Sequence, residues 1–279
     1  MDGALPLHYR DETFCVRAYE SGVDNRVTLP AYCNYLQEIA GNHARELGLG
    51  IRELQDAGFT WMLERLRLSV GGYAAWRENV TIRTWPAGLR GRLSAVRDFV
   101  ARGDSGAVLL QGVSAWLYVD LSTRRIARLP EAFAALAPAG TPHVDVAEPN
   151  RKIPDFGEPE WSAALTVRRS DTDFNAHVNN AHYVEWTLEC LPDAWCGAHR
   201  ARELDISFRA AAKWGDTVVC EAAREGGRAL LHRIRRQSDQ AVLAVARTVW
   251  AENGEFEGPI GPAGSARPEK SDNERKRGL

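Results

Sequence analysis

Two stretches of this chain decide its fold, because the second repeats the first. Residues 16–38 read VRAYESGVDNRVTLPAYCNYLQE, and residues 167–189 read VRRSDTDFNAHVNNAHYVEWTLE. Aligned without a gap, they share Val, Arg, Val, Tyr and Glu at 16/167, 17/168, 27/178, 32/183 and 38/189. Two later segments match in the same order and pair Trp76 with Trp214 and Trp116 with Trp250. This repeated order indicates an internal duplication.

Each copy predicts a strand, a turn, one helix and then several strands. In the first copy, Thr28 is a suitable N-cap and Pro30 fits the first helical turn. In the second copy, Asn179 takes the capping position and Pro192 ends the helix. The later segments alternate or form short apolar runs, as in LERLRLSV, NVTIRTW, ALLHRIRR and VLAVARTVW, which is typical of antiparallel strands. One helix on an antiparallel sheet, made twice, predicts an α+β fold.

The composition excludes several classes of protein. The 279 residues are 44% hydrophobic and 26% charged, as in folded and not in disordered chains. A formal net charge of -2 gives no general attraction to nucleic acid or anionic membranes. The longest apolar run, near 107–119, is too short for a membrane span, and the start MDGALPLHYR lacks a signal core. We therefore expect a cytoplasmic protein without a membrane span.

Proline and polar residues divide the chain. Prolines concentrate between positions 130 and 160, where they disfavour helix interiors and central strands. After position 252 the sequence is rich in Gly, Pro and charge, which is typical of disorder. We predict an N-terminal domain at 1–135, a Pro-rich linker at 136–161, a C-terminal domain at 162–252 and a disordered tail at 253–279.

The five cysteines indicate reduced thiols. Their number is odd, and none forms a CxxC pair. Cys190 and Cys196 lack clustered histidines, so no metal site is predicted. Cys190 lies in the predicted second helix, where we interpret it as a small buried thiol and not a nucleophile.

The second copy carries a polar cluster directly before its helix. Asp173, Asn175 and His177 are spaced two residues apart. A carboxylate serves as base or nucleophile, and an imidazole orients or activates water. A helix start offers N–H groups and a positive dipole end to an oxyanion, so the amides of Val178 and Asn179 are candidate donors. The same residues also suit an Asx turn, a helix cap and a surface histidine.

The first copy lacks this cluster. Its corresponding residues are Gly22, Asp24 and Arg26. This asymmetry predicts that only the second copy carries the chemistry.

The chain resembles the fatty acyl-ACP thioesterases of plants and bacteria. In the first copy the resemblance rests on GFTWMLERLRLSVGGYAAW and SAWLYVDLSTRRIARLPE as well as the repeated stretch. In the second copy it rests on RRSDTDFNAHVNNAHYVEW and WGDTV, and it covers about 14–250 in all. It implies two tandem hotdog domains, each a long helix packed on an antiparallel β-sheet.

The resemblance also implies an activity and a site. The expected reaction is hydrolysis of the thioester of fatty acyl-ACP to free fatty acid and holo-ACP. Asp173, Asn175 and His177 are the implied catalytic residues. The Asn amide and the helix-start amides polarise the thioester carbonyl, and Asp173 and His177 position or activate water, or Asp173 attacks directly. No cofactor is implied, because the substrate itself carries phosphopantetheine.

The implied partners are an acyl carrier protein and a fatty acyl chain, with the acyl tail in the first hotdog domain. Candidate pocket residues are Leu36, Ile39, Trp61 and Leu63, which are equally suited to an ordinary core. Two groups of arginines are candidates for docking an acidic carrier protein, or for a solvated strand face. They are Arg90, Arg92 and Arg97, and Arg228, Arg233, Arg235 and Arg236.

One residue departs from the family pattern. The family usually carries a Glu a few residues before the W/Y-G-D turn, where our alignment places Ala211. The acidic residues nearby in sequence are Glu185, Glu189, Glu203 and Asp205. Two alternatives therefore stay open: an acyl-CoA thioesterase, and a weakly active or non-catalytic acyl-carrier-binding hotdog protein. Chain-length preference also stays open, as does the choice between monomer and homodimer.

Overall fold

The computed structural model describes residues 8–146, 152–173 and 177–256, so Asn175 lies outside the described residues. The chain forms two units with the same order of elements. The N-terminal unit contains β1 (Arg10–Cys15), α1 (Leu29–Glu46), α2 (Ile51–Asp56), β2 (Phe59–Val70), β3 (Asn79–Arg90), β4 (Ser94–Arg102), β5 (Val108–Asp120) and β6 (Arg125–Ile126). The C-terminal unit contains β7 (Trp161–Thr166), α3 (Asn180–Glu189), α4 (Asp193–Ala198), β8 (His199–Phe208), β9 (Thr217–Gly226), β10 (Ala229–Arg236) and β11 (Val242–Glu252).

The strands of both units join in one continuous antiparallel sheet. Their order is β1-β3-β4-β5-β2-β8-β11-β10-β9-β7, with the short β6 paired to β5. The second half of this order mirrors the first, so β2 and β8 meet at the centre. The α+β prediction, with one long helix packed on an antiparallel sheet in each unit, is confirmed.

The central β2–β8 pairing has one apolar face and one charged face. On the helix side, Leu66 pairs with Ile206 and Leu68 with Leu204, and all four side chains are buried. On the opposite side, Arg65 donates two hydrogen bonds of 2.7 Å to the two carboxylate oxygens of Asp205. Bidentate geometry of this kind gives an Arg–carboxylate pair both strength and direction. The pair therefore reinforces the register that the apolar side chains select.

Helix α1 forms where the sequence predicted it. Thr28 caps the helix by accepting a hydrogen bond from the Ala31 N–H, and Pro30 lies in the first turn. Its buried stripe includes Tyr32, Leu36 and Ile39 at helical spacing. No helix among the described residues is long and apolar enough to cross a membrane.

The two units repeat their hydrogen bonds as well as their sequence. In the N-terminal unit, the Thr28 N–H donates to the Glu20 carbonyl at 2.9 Å, and the Tyr32 hydroxyl accepts from the Ala74 N–H at 3.0 Å. In the C-terminal unit, Asn179 donates to Asp171 at 3.0 Å, and Tyr183 accepts from Ala212 at 2.7 Å. The residues that the alignment paired therefore occupy equivalent structural positions.

Chain between the two units covers the outer face of the sheet. Val144 and Val146 pack against the N-terminal strands, and Ile153 packs against the C-terminal strands. The tail predicted from position 253 begins with an ordered segment, because Asn253–Phe256 forms a 3-10 turn whose Phe256 ring lies 5.4 Å from that of Tyr73. Residues 257–279 lie outside the described residues.

Several elements are absent from the sequence prediction, among them α2, α4, β4 and the two-residue strand β6. Helices α2 and α4 have six residues each, too few to establish a helical period. Strand β4 reads SAVRDFVAR, and its apolar pattern is interrupted by Arg97 and by the fully buried Asp98. Asp98 accepts a hydrogen bond from the Val144 N–H at 3.0 Å, a long-range contact that no local pattern reveals.

Replacing Asp205 with Asn is expected to lower the free energy of unfolding by about 2 kcal/mol, because Arg65 would lose a partly buried charged partner. Urea denaturation measures this change. The matched control is Asp11→Asn, which breaks the more exposed Arg83–Asp11 pair and is expected to cost less than about 1 kcal/mol. Equal losses in the two variants would contradict a special role for the central pair.

Candidate active site

Two residues of the predicted cluster, Asp173 and His177, are described by the structure, and they lie directly before α3. We call residues 173–177 the motif loop. The Asp173 N–H donates to the His177 carbonyl at 2.8 Å, and the His177 N–H donates to Asp173 Oδ1 at 3.4 Å. His177 is exposed and Asp173 is partly exposed. The structure therefore brings Asp173 and His177 together across the loop and leaves the imidazole accessible from outside.

The start of α3 is held by a residue from the other unit. The side chain of Asn179 caps α3 by accepting a hydrogen bond from the Ala181 N–H at 3.0 Å. The same oxygen accepts a second hydrogen bond, of 2.9 Å, from Gln37 Nε2 on α1. Gln37 therefore positions the helix start that follows the motif loop. No sequence signal marks it, because its partner lies 142 residues away.

The two predicted oxyanion donors are already engaged. The Val178 N–H donates to the Ala212 carbonyl at 3.4 Å, and the Asn179 N–H donates to the Asp171 carbonyl at 3.0 Å. Both hydrogen bonds belong to the framework that the two units share, since Val27 and Thr28 make the equivalent ones. The amides of Val178 and Asn179 are therefore part of the scaffold and are not free donors in this structure.

A narrow apolar pocket lies beside the start of α3, between both long helices and the middle of the sheet. Both units line it, with residues that include Leu36, Leu63, Phe99, Ser114, Asn180 and Val184. Two of the four predicted acyl-pocket residues thus border one cavity together with the first turn of α3. The pocket therefore lies between the first turn of α3 and side chains of the N-terminal unit.

The other two predicted pocket residues lie elsewhere. Ile39 is fully buried in the main core and does not border this pocket. Trp61 packs in a separate cluster under α2, where its ring N–H donates to the Leu49 carbonyl at 3.0 Å. Trp61 and Leu63 are two residues apart on β2, so strand alternation places both side chains on the same face of the sheet. Alternation does not show where α1 ends and α2 begins, and so it does not show which helix covers each side chain.

The position of Ala211 holds no carboxylate. Ala211 is exposed, and its carbonyl accepts a hydrogen bond of 3.2 Å from Arg236 Nη1. That guanidinium also lies 3.5 Å from Asp216 Oδ2, so the charged groups around Ala211 are Arg236 and Asp216. Sequence reasoning named Arg236 only as a docking candidate and Asp216 only as part of the W/Y-G-D turn. It did not place them beside Ala211, because they reach it from β10 and from the turn before β9.

The four acidic residues considered as replacements for the family Glu do not lie at the position of Ala211. Glu203 and Asp205 lie on the outer face of the sheet, paired with arginines. Glu185 lies within α3 and contacts His182 Nδ1 at 2.8 Å. Glu189 ends α3, nine residues beyond Asn180 and therefore about 13 Å along the helix axis. Each of these four carboxylates is therefore placed away from Ala211 or held by another partner.

The buried cysteines are unsuited to nucleophilic chemistry. Burial raises the pKa of the Cys33 and Cys190 thiols to about 12, and it also raises the pKa of Cys220. Only the thiolate is a strong nucleophile, so these three thiols are unreactive near neutral pH. Cys190 is buried on α3, as the sequence predicted for a core thiol.

The architecture defines a tandem hotdog protein, and comparison with known proteins identifies its family. The N-terminal domain model of the acyl-ACP thioesterases matches residues 7–137, and their C-terminal domain model matches 158–252. The two models match in the order expected for one complete pair of domains. The chain belongs to the acyl-ACP thioesterase family, which confirms the resemblance seen in the sequence.

Curated relatives support this assignment. The chain is 30% identical over 255 residues to the chloroplastic dodecanoyl-[acyl-carrier-protein] hydrolase of Cinnamomum camphora, covering 85% of this chain and 66% of that protein. It is 30% identical over 227 residues to the chloroplastic oleoyl-acyl carrier protein thioesterase 2 of Arabidopsis thaliana, covering 74% and 60%. The match thus spans less than two thirds of the length of each relative.

Solved structures agree with the fold. The 12:0-ACP thioesterase from Umbellularia californica superposes with a TM-score of 0.76 at 25% identity, covering 90% of this chain and 100% of that chain. An acyl-ACP thioesterase from Bacteroides thetaiotaomicron gives a TM-score of 0.78 at 23% identity, covering 88% and 98%. The second likeness shows the fold alone, and together they confirm the two tandem hotdog domains.

Alkylation of the native protein at pH 8 is expected to modify Cys15 and Cys196, which are exposed, and to leave Cys33, Cys190 and Cys220 unmodified. The high pKa values of the buried thiols keep them protonated at this pH. Intact-mass spectrometry counts the adducts, and the urea-unfolded chain serves as the control in which all five react. Rapid labelling of Cys190 in the native protein would contradict its assignment as a core thiol.

Proposed function

We propose that this chain is an acyl-ACP thioesterase that hydrolyses fatty acyl-ACP to free fatty acid and holo-ACP. The observation that carries the proposal is that the first turn of α3, which directly follows the motif loop, lines an apolar pocket shared by both units. In the proposed complex the acyl tail occupies this pocket, and the exposed His177, three residues before the pocket-lining Asn180, activates the water that attacks the thioester. Family membership supports the same reaction.

In the proposed mechanism, the three motif residues have separate roles. His177 accepts a proton from a water molecule as the water oxygen attacks the thioester carbonyl carbon. Asn175 stabilises the oxygen of the tetrahedral intermediate, and Asp173 holds the loop through the His177 N–H. The C–S bond then breaks, and His177 returns the proton to the departing pantetheine sulfur. The protein requires no cofactor in this scheme, because the thioester is carried by the substrate's own phosphopantetheine.

The partner in this proposal is an acyl carrier protein, and the setting is fatty acid biosynthesis in the cytoplasm. The curated relatives act in chloroplasts according to their names, so the compartment of this chain is tested separately by cell fractionation. An assay with one acyl chain on carrier protein and on coenzyme A separates the proposed function from the acyl-CoA alternative. A higher kcat/KM for the acyl-ACP supports the proposal, and a higher value for the acyl-CoA overturns it.

His177→Ala is expected to lower kcat for release of free fatty acid from acyl-ACP by about 100-fold or more, the usual range for loss of a general base. Thiol release from acyl-ACP measures the rate. His143→Ala is the control, since His143 is exposed and contacts Asp98 on the outer face of the sheet. Equal rates for wild type and His177→Ala would refute the proposed site.

Ala211→Glu is expected to increase kcat by about tenfold or more, because it supplies a carboxylate at the position where the family carries one. The side chain has space, since Ala211 is exposed. The control Ala211→Gln has nearly the same shape but no basic oxygen pair, and its kcat is expected to stay at the wild-type value. If Ala211→Glu gives no increase over Ala211→Gln, a carboxylate at this position does not limit the reaction.

A further inference from the structure

Arg97 is a cation inside the N-terminal unit. It lies on β4 with its side chain on the helix face of the sheet, as Phe99 does two residues later. Its Nη1 atom lies 2.9 Å from Nδ1 of His43 on α1 and 3.2 Å from the Thr84 hydroxyl oxygen. In the described part of the chain no carboxylate forms an ion pair with Arg97. Arg97 is therefore not the exposed carrier-docking residue that the sequence suggested as one possibility.

The surroundings of Arg97 are costly for a charge. Burial lowers the pKa of the guanidinium to about 10. Burial, followed by the charges of Arg97 and Arg10, lowers the pKa of His43 to about 4, so the imidazole is neutral at pH 7 and Nδ1 accepts the hydrogen bond. Arg97 is partly buried, and a cation in such a place with only neutral partners contributes little to stability. Its position therefore calls for an explanation other than a structural ion pair.

Arg97 lies immediately beyond the apolar pocket in the sheet. Its direct cross-strand partner is Ser114, which lines the pocket and donates a hydrogen bond of 3.4 Å to the Arg97 carbonyl. Phe99, on the same face of β4, also lines the pocket. Thr84, on the next strand β3, accepts a hydrogen bond from the same Nη1 atom that contacts His43. The side chains on this face of the sheet thus change from apolar to polar within one strand spacing of Ser114.

Side chains also change from apolar to polar along α1. Leu36 lines the pocket, and His43 lies two turns later on the same buried stripe, about 10 Å along the helix axis. His43 and Arg97 face each other from helix and sheet. They therefore lie next to the pocket-lining Ser114, on the side of the pocket away from the C-terminal unit.

We propose that Arg97 and His43 form the polar end of the acyl pocket and set the longest acyl chain that the enzyme accepts. This inference rests on the proposed function. An acyl methyl group that reaches Arg97 would have to desolvate the guanidinium or break its hydrogen bond to His43, whereas a shorter chain ends among apolar side chains. The pair thus acts as a specificity-determining boundary and takes no part in the hydrolysis.

The test compares kcat/KM for a series of saturated acyl-ACPs that differ by two carbons. Arg97→Met replaces the cation by an apolar side chain of similar length. The preferred chain is expected to lengthen by at least two carbons. The ratio of kcat/KM for the longer over the shorter chain is expected to rise about 15-fold, because each of the two additional buried methylenes contributes about fourfold. Arg97→Lys retains the charge and is expected to keep the wild-type preference.

Two further variants keep the test decisive. Arg102→Met is the matched control on β4, since Arg102 bonds the Gly106 carbonyl at the end of the strand away from the pocket, and it is expected to leave the preference unchanged. Arg97→Gln keeps a donor for His43 without the charge. If Arg97→Met fails to fold, as judged by thermal unfolding, the chain-length preference of Arg97→Gln is the deciding measurement. A smaller shift toward longer chains is then expected.

The outcomes separate this inference from the proposed function. If the folded Arg97 variants hydrolyse acyl-ACP with the wild-type chain-length profile, the boundary is refuted and the proposed function stands. If wild-type protein releases no fatty acid from any member of the series, the proposed function itself fails, and the boundary fails with it. A shift toward shorter chains in Arg97→Met would also overturn the inference.

Discussion

The pairing of β2 with β8 is the constraint on which the rest of the structure depends. Each unit alone would expose one of these strands as an open edge, and an open edge is prone to unwanted pairing. Joined through Leu66, Leu68, Leu204 and Ile206, the two sheets become one, and α1 and α3 lie together on the same face. The pocket beside α3 exists because of this arrangement, since its walls come from both units.

The duplication preserved the scaffold and changed the chemistry at its two equivalent loops. Both loops close with the same main-chain hydrogen bonds at their helix starts. In the N-terminal unit, Asp24 forms an ion pair with Arg200 from the other unit, and Phe256 covers the adjacent cavity. In the C-terminal unit, the corresponding loop leaves His177 exposed. One position has become an interdomain contact, and the other leaves His177 exposed.

Much of the fold could be predicted because its signals are local. Thr28 and Pro30 mark the start of α1, and alternating side chains mark most strands. Strand β4 was not predicted because two charged residues interrupt its apolar pattern. Arg97 is partly buried against His43 on α1, and Asp98 is fully buried with a partner in the chain after β6. The pocket was predicted in part, since Leu36 follows from helical spacing, whereas the place of Trp61 depends on how α2 packs.

The sequence by itself determined the duplication, the α+β class, the family and the position of the motif loop before a helix. These features depend on residue identity and on short spacings, both of which can be read directly from the sequence. Only the tertiary structure decided that Val178 and Asn179 have engaged amides, that Gln37 bonds Asn179, and that Arg97 lies under α1. Most of these contacts join residues far apart in sequence, such as Gln37 with Asn179 and Arg97 with His43, and their distance in space is set by sheet register and helix packing.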